Sequence, residues 1–255
     1  MTILVGVKCT DGVVIGADSV ATSAAGPQSV MQIQSNDKIR IFDGKVICAA
    51  TGAIGLAQRL RYHVHAAAVG GVFTNLSVHE AAGNISKRFL TDCANTLVAR
   101  HPQRGIQFGA LIAVHIKGEA RLIEYASIDF QPEIKEDNLF YVSMGSGQHL
   151  ADPFLAFVSR VLWRGKQPTV DEAKFGVYWA LDHTIKLAPG GIGEPIHVAT
   201  LRDTGGAWAA QEMVDTQEAA QFISELESHI GEFAMKPAPG TPVEVPPTPP
   251  LPPMG

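Results

Sequence analysis

The second residue of the chain combines a hydroxyl nucleophile with a potential base. Methionine aminopeptidase removes an initiator methionine that precedes a small residue, so we expect the mature chain to begin at Thr2. Removal of Met1 would leave a free α-amine beside the Thr2 hydroxyl. An α-amine has a reference pKa of about 7.7–8.0, so its neutral fraction can accept the hydroxyl proton, directly or through water. Many ordinary proteins also begin with Met-Thr, so the interpretation depends on the surrounding pattern.

A catalytic N-terminus needs a strand that anchors it and a cation that lowers the pKa of its amine. Residues 3–9 are apolar and β-branched, Thr10-Asp11-Gly12 is typical of a turn, and residues 13–17 are apolar again. This pattern predicts a hairpin at the extreme N-terminus. Lysines at positions 8, 38 and 45 are the candidates for that cation.

The opening of the chain resembles a known family of hydrolases. Residues 2–19 are similar, nearly position for position, to the start of proteasome β-subunits and of the HslV-type bacterial ring peptidase. The shared features are the threonine at position 2, a lysine-containing turn that continues as Asp11-Gly12-Val13-Val14, and the ending Ala17-Asp18. The segment 143–147 also resembles the Gly-Ser-Gly turn of this family. The chain is therefore similar to the N-terminal-nucleophile (Ntn) hydrolases.

The resemblance implies catalytic roles for five residues. Thr2 is the nucleophile, Lys38 lowers the pKa of its amine, and Asp18 orients Lys38. Gly52, in a turn between a strand and a helix, offers the oxyanion a backbone N–H, because a peptide N–H at a helix start is a preformed donor. Ser146 hydrogen-bonds near the terminal amine. Ordinary structural interpretations remain open for the other residues: Asp18 as a strand-edge aspartate, Lys38 as a solvated lysine, Gly52 as a tight turn and Ser146 as a loop serine.

The resemblance also places a substrate pocket and exposes one departure from the family. The pocket residues are Val20, Met31, Ala53 and Ile54, which predict an apolar pocket and a preference for nonpolar side chains. The family carries an aspartate and, three residues later, a serine just ahead of Gly-Gly. This chain has Lys186 and Pro189 before its Gly-Gly pair. Two accessory groups are therefore missing, which affects the expected efficiency of catalysis more than the expected fold.

Hydrophobic periodicity predicts the elements that position these residues. After the first hairpin, strands are expected at 38–42 and 45–50, and helical spacing begins at Ile54. Two Ser/Thr-x-x-Glu sequences, at 77–80 and 169–172, have the capping-box pattern of a helix start. The remaining expected elements are a helix through residue 97, strands at 106–116, 121–126 and 139–144, helices at 153–163 and 173–187, strands at 196–201 and 207–210, and a helix at 218–234.

Strands in hairpins, with helices between them in sequence, favour an α+β domain with antiparallel sheets and helices on the outer faces. The family resemblance implies the Ntn-hydrolase form of this arrangement, a four-layer αββα sandwich. We expect the domain to span residues 1–236. Residues 237–255 contain nine of the 16 prolines and are expected to form an extended or disordered tail.

Composition excludes several functional classes. The chain has 255 residues, of which 46% are hydrophobic, enough for a substantial core. A net charge of −5 gives no basic surplus for nucleic acid. The sequence lacks a signal-peptide pattern and any apolar run of about 18 residues, so a cytoplasmic protein without membrane contact is expected. The three cysteines lie in apolar runs and suggest buried thiols; no cofactor or metal is expected.

The family resemblance implies a threonine endopeptidase that hydrolyses polypeptide or peptide substrates inside homo-oligomeric stacked rings. The rings would be hexameric or heptameric, and an ATPase unfoldase is an open possibility as a partner. Two alternatives remain from the sequence. One is an Ntn amidohydrolase that acts on a small amide, and the other is a catalytically silent ring subunit, suggested by Lys186 and Pro189.

Overall fold

The computed structural model describes residues 2–23, 32–35, 37–97, 108–126, 128–188, 190–213 and 216–235. Within these ranges the chain forms twelve strands and six helices. The strands are β1 (Leu4–Lys8), β2 (Gly12–Ala17), β3 (Val20–Ser23), β4 (Gln32–Ser35), β5 (Ile39–Phe42), β6 (Val46–Thr51), β7 (Gly109–Ile116), β8 (Glu119–Tyr125), β9 (Pro132–Ile134), β10 (Tyr141–Met144), β11 (His197–Asp203) and β12 (Trp208–Glu212). The helices are α1 (Ile54–Val69), α2 (Val72–Asn75), α3 (Val78–Leu97), α4 (Gln148–Val161), α5 (Val170–Leu187) and α6 (Thr216–Ala234).

Two antiparallel sheets of five strands form the centre of the molecule. The first has the order β10-β1-β2-β11-β12, and the second has the order β5-β6-β7-β8-β9. Strands β3 and β4 pair as a separate hairpin. The N-terminal strand β1 is therefore an interior strand, with β2 on one side and β10 on the other.

Three hydrophobic cores separate four layers. Successive strand residues point to opposite faces of a sheet, so Leu4 packs between the two sheets while Val5 packs toward α4 and α5. The second sheet buries its outer face against α1 and α3, where Leu60 and Phe89 are buried. Helices therefore cover the outer face of each sheet, and the predicted αββα sandwich is confirmed.

Local signals fix the starts of two helices as predicted. The Ser77 hydroxyl accepts the Glu80 N–H at 3.4 Å, and the Glu80 carboxylate accepts the Ser77 N–H at 2.9 Å. Thr169 and Glu172 form the same reciprocal pair at the start of α5. Both capping boxes satisfy backbone donors that an α-helix start leaves without an intrahelical partner.

Other boundaries differ from the sequence-based expectation. No strand was predicted between the first hairpin and residue 38, but β3 and β4 lie there and pair with each other. Helix α4 begins at Gln148, and Pro153 lies inside it, because residues 148–152 form the first turn directly after Gly147. The proline-rich segment 237–255 lies outside the described residues. None of the described helices is long and apolar enough to cross a membrane.

Candidate active site

Strand pairing brings two turns to the N-terminal end of β1. Leu4 of β1 lies opposite Ala17 of β2 and Met144 of β10. Asp18 directly follows the first of these partners, and the turn 145–147 directly follows the second. Residues 2 and 3 are therefore flanked by both segments that the sequence nominated.

The Asp18 carboxylate is fully buried and hydrogen-bonded on both oxygens. Oδ1 accepts the Ile3 N–H at 2.9 Å and Lys38 Nζ at 2.5 Å. Oδ2 accepts the Val20 N–H at 3.2 Å and the Gly193 N–H at 3.4 Å. One side chain thus connects the N-terminal strand, the start of β3, the segment before β11 and Lys38.

Lys38 is buried together with its partner Asp18. Its side chain is 4% exposed, and it forms an ion pair with Asp18 at 2.5 Å. Burial lowers the pKa of Lys38, and the Asp18 carboxylate opposes that shift. A buried lysine held beside Thr2 is therefore a source of positive charge and, where it loses its proton, a proton acceptor.

The turn 145–147 holds the main chain of Thr2. The Thr2 nitrogen lies 3.0 Å from Ser146 Oγ, to which it donates, and the Gly147 N–H donates to the Thr2 carbonyl at 3.2 Å. Gly145 has φ +110°, and a Cβ there would collide with the Thr2 carbonyl oxygen, so this close approach requires glycine. The Thr2 nitrogen is a peptide N–H while Met1 is attached and stands for the α-amine that Met1 removal would produce.

Gly52 lies between β6 and α1, as the sequence predicts. It adopts φ +108°, a conformation that favours glycine, and it is exposed. No acceptor among the described residues takes its N–H. The N–H is therefore available to a bound group.

These residues share one cavity of about 340 Å³. Four of the five predicted catalytic residues line it: Thr2, Lys38, Gly52 and Ser146. Asp18 lies beneath the surface and contacts the site through Lys38. The remaining lining residues are Ala21, Ala50, Thr51, Ile54, Ala57 and Arg61.

The predicted substrate-binding residues are only partly at this cavity. Ile54 lines it, whereas Val20 and Ala53 are outside its lining, and Met31 lies outside the described residues. Val20 instead gives its N–H to Asp18 and packs its side chain near Gly193.

Sequence reasoning missed Arg61 and Gly193. Arg61 follows Ile54 and Ala57 at helical spacing, so the periodicity of α1 was a signal for it. Gly193 contacts Asp18 across 175 residues of sequence, and no local pattern indicates such a contact.

Among the described residues, none at the end of α5 is seen to contribute an accessory group to the site. Lys186 forms an ion pair with Asp182 at 2.7 Å, one turn earlier on the same helix. Pro189 lies outside the described residues. No group of three or more metal-ligating side chains occurs within the described part of the chain.

A family model for proteasome subunits matches residues 2–160. The chain belongs to the proteasome subunit family. The matched range contains β1, the Asp18 and Lys38 pair, the Gly52 turn and Ser146, so the family match includes every residue proposed for catalysis. Comparison with curated protein sequences gave no match.

Solved structures of proteasome-related proteins share the fold. An Anbu (Gly-1) mutant from Hyphomicrobium sp. strain MC1 is 16% identical, with a TM-score of 0.70 over 93% of this chain and 98% of its own. Anbu from Yersinia bercovieri, described as an ancestral β-subunit, is 18% identical, with a TM-score of 0.66 over 92% and 98%. Anbu from Pseudomonas aeruginosa is 13% identical, with a TM-score of 0.68 over 93% and 98%. At these identities the likeness shows the fold alone.

Proposed function

We propose that this proteasome-family protein is a threonine peptidase that cleaves peptide bonds with Thr2 after Met1 is removed. The observation that carries the proposal is the contact between the Thr2 nitrogen and Ser146 Oγ, in a cavity also lined by Lys38 and Gly52. The groups proposed as nucleophile, base, cation and oxyanion donor belong to residues that line this cavity, and together they are the groups that acyl transfer needs.

The proposed reaction has two halves. The Thr2 hydroxyl oxygen attacks the peptide carbonyl carbon while its proton passes to the Thr2 α-amine, and the Gly52 N–H stabilises the oxyanion. Collapse of the intermediate breaks the C–N bond, and the leaving amine takes the proton from the α-ammonium. A water molecule then attacks the ester, gives a proton to the α-amine and releases the carboxylic acid product with regenerated Thr2.

Lys38 and Asp18 support the base rather than attack the substrate. A nearby cation disfavours protonation of the α-amine and lowers its pKa, which increases the neutral fraction that can accept a proton. Asp18 fixes Lys38 and, through the Ile3 N–H, fixes the backbone next to the nucleophile. This arrangement separates the groups that react from the groups that position them.

We further propose that the protein works as a homo-oligomer. The Anbu complex of Pseudomonas aeruginosa is a helical assembly. Heterologous contacts between identical subunits give a closed ring when the rotation closes and a helical assembly when it does not. A stacked hexameric or heptameric ring is the form we propose here, and an open helix is the specific alternative.

Intact mass and covalent labelling test the catalytic proposal. The purified protein should have lost the mass of Met1, and one peptide epoxyketone or vinyl sulfone should attach at Thr2. Thr2→Ala should abolish labelling and lower hydrolysis about a thousandfold or more, as loss of a nucleophile does. Thr91→Ala, an exposed position in α3, is the matched control and should behave as the wild type. Retention of Met1 on most active molecules would refute the mechanism, because it leaves the proposed base in an amide bond.

A further inference from the structure

Arg61 extends the cavity along one face of α1. The helix begins two residues after Gly52, and Ile54, Ala57 and Arg61 recur at intervals of three and four residues, so they lie on the same face. All three line the cavity. Side chains in a helix lean toward its N-terminus, so Arg61 leans back toward Gly52.

The charge of the lining is unbalanced. Two lining residues are cationic, Lys38 and Arg61, and no described lining residue is acidic. Lys38 is ion-paired with Asp18 at 2.5 Å. Arg61 forms no ion pair with any described residue, so it is the lining cation whose charge no described carboxylate pairs.

The guanidinium of Arg61 is held in place but has hydrogen-bonding capacity left. Its Nη2 donates to the Asp37 carbonyl at 2.8 Å, while Nε is buried and has no partner among the described residues. The Asp37 carboxylate pairs with Arg40, and no ion pair among the described residues joins it to Arg61. Burial lowers the pKa of Arg61, as expected for a cation without a full counter-charge.

We propose that Arg61 makes this cavity selective for substrates with a carboxylate on the side chain next to the attacked carbonyl, that is, glutamate or aspartate. The inference rests on the proposed function, because Thr2 and Gly52 fix the attacked carbonyl at one end of the cavity. The adjoining side chain then extends along the face of α1 that carries Arg61. A carboxylate there would gain charge-assisted hydrogen bonds from a guanidinium. This preference replaces the nonpolar one that the sequence suggested.

The test compares probes that differ only in charge. Peptide epoxyketones with glutamate or glutamine at the position next to the reactive carbonyl are equal in shape, so the ratio of their labelling rates reports the charge effect. We expect the glutamate probe to react about tenfold faster or more, which is the effect of one charge-assisted hydrogen bond. In Arg61→Gln the ratio should fall to one or below, and in Arg61→Lys it should remain above one. Arg59→Gln is the control, because Arg59 lies on the same helix but pairs with Asp92 outside the cavity.

Two results separate failure of the inference from failure of the proposed function. Labelling at Thr2 by the glutamine probe, with a ratio near one, would overturn the role of Arg61 and leave the threonine peptidase intact. Absence of labelling by every probe would count against the peptidase. In that case, NMR titration of the full chain with acetylated peptides ending in glutamate amide or glutamine amide decides the selectivity. Equal affinity for the two peptides would overturn it, and tighter binding of the glutamate peptide, lost in Arg61→Gln, would support it.

Discussion

Replacing Asp18 with asparagine tests the polar cluster that anchors the N-terminal strand. The carboxylate accepts three backbone N–H groups and one ammonium group, with both oxygens engaged. Asparagine has nearly the same shape, but one of its two terminal atoms becomes an NH₂ donor. That donor must then face either the Ile3 and Lys38 donors or the Val20 and Gly193 donors. The substitution therefore changes the electrostatics of the cluster and leaves its volume nearly unchanged.

The expected loss of stability follows from burial. Lys38 is 4% exposed, and removing one partner of a buried ion pair costs about 3–5 kcal/mol, because the other charge is left without compensation. Each N–H that loses its acceptor adds about 1–3 kcal/mol. These costs do not simply add, because Lys38 can lose its proton and then leaves no uncompensated charge in the interior. We expect Asp18→Asn to lower the free energy of unfolding by about 3–5 kcal/mol, a large part of the 5–15 kcal/mol typical of a folded protein.

Urea denaturation at a fixed protomer concentration measures this loss, since any assembly adds a concentration-dependent term. Asp137→Asn is a matched control: Asp137 also pairs with a lysine at 2.5 Å, but its side chain is 82% exposed. Its loss should stay within about 1 kcal/mol. The double variant Asp18→Asn/Lys38→Met should lose less than the sum of the two single variants. A cost for Asp18→Asn no larger than that for Asp137→Asn would refute the reasoning.

Two further predictions concern reactivity and assembly. Burial raises the pKa of Cys48 to about 12 and also raises the pKa of Cys9 and Cys93. At pH 8 only about one Cys48 thiol in ten thousand is then a thiolate, so iodoacetamide should leave all three unmodified until urea is added, as intact mass would show. Rapid alkylation of the native protein would contradict this. Size-exclusion light scattering should give a particle of about a dozen subunits or more, as stacked closed rings require, and deletion of residues 237–255 should leave it assembled. A stable monomer at micromolar concentration would rule out the ring.

Local pattern was enough to predict much of this fold. The β1–β2 hairpin follows from two apolar runs around Asp11-Gly12, and two helix starts follow from capping boxes that form as expected. Thr2 was nominated by its residue type and its place after Met1, whereas Asp18, Lys38, Gly52 and Ser146 were nominated by the family resemblance, each at a strand end or a tight turn. Family resemblance then supplied the roles that pattern alone leaves open.

Contacts between distant segments could not be predicted in the same way. Strands β3 and β4 were not predicted, because residues 19–35 are rich in Ala, Ser and Gln and lack the β-branched alternation of a typical strand. Gly193 binds Asp18 only because β11 pairs with β2 and places the preceding segment beside it. Arg61 was overlooked because the pocket was read from short segments, whereas it lies two helical turns beyond Gly52. The Gly193 contact depends on sheet order, which exists only in the folded chain, whereas the helical spacing of Arg61 was present in the sequence.

The end of α5 differs from the family pattern at the position of Lys186, and this difference bears on how the proposed base, the Thr2 α-amine, is supported. Lys186, at the position where the family resemblance expects an aspartate, pairs with Asp182 on its own helix and not with the Thr2 cluster. Ser146 and the turn around it contact the main chain of Thr2, and Asp18 holds the adjacent Ile3 N–H together with Lys38. In the proposed mechanism, the proton of the Thr2 hydroxyl passes to the α-amine, and the nearby Lys38 charge lowers the pKa of that amine. In the proposed mechanism, the cluster that anchors the strand also tunes the nucleophile, so stability and hydrolysis should fall together in Asp18→Asn.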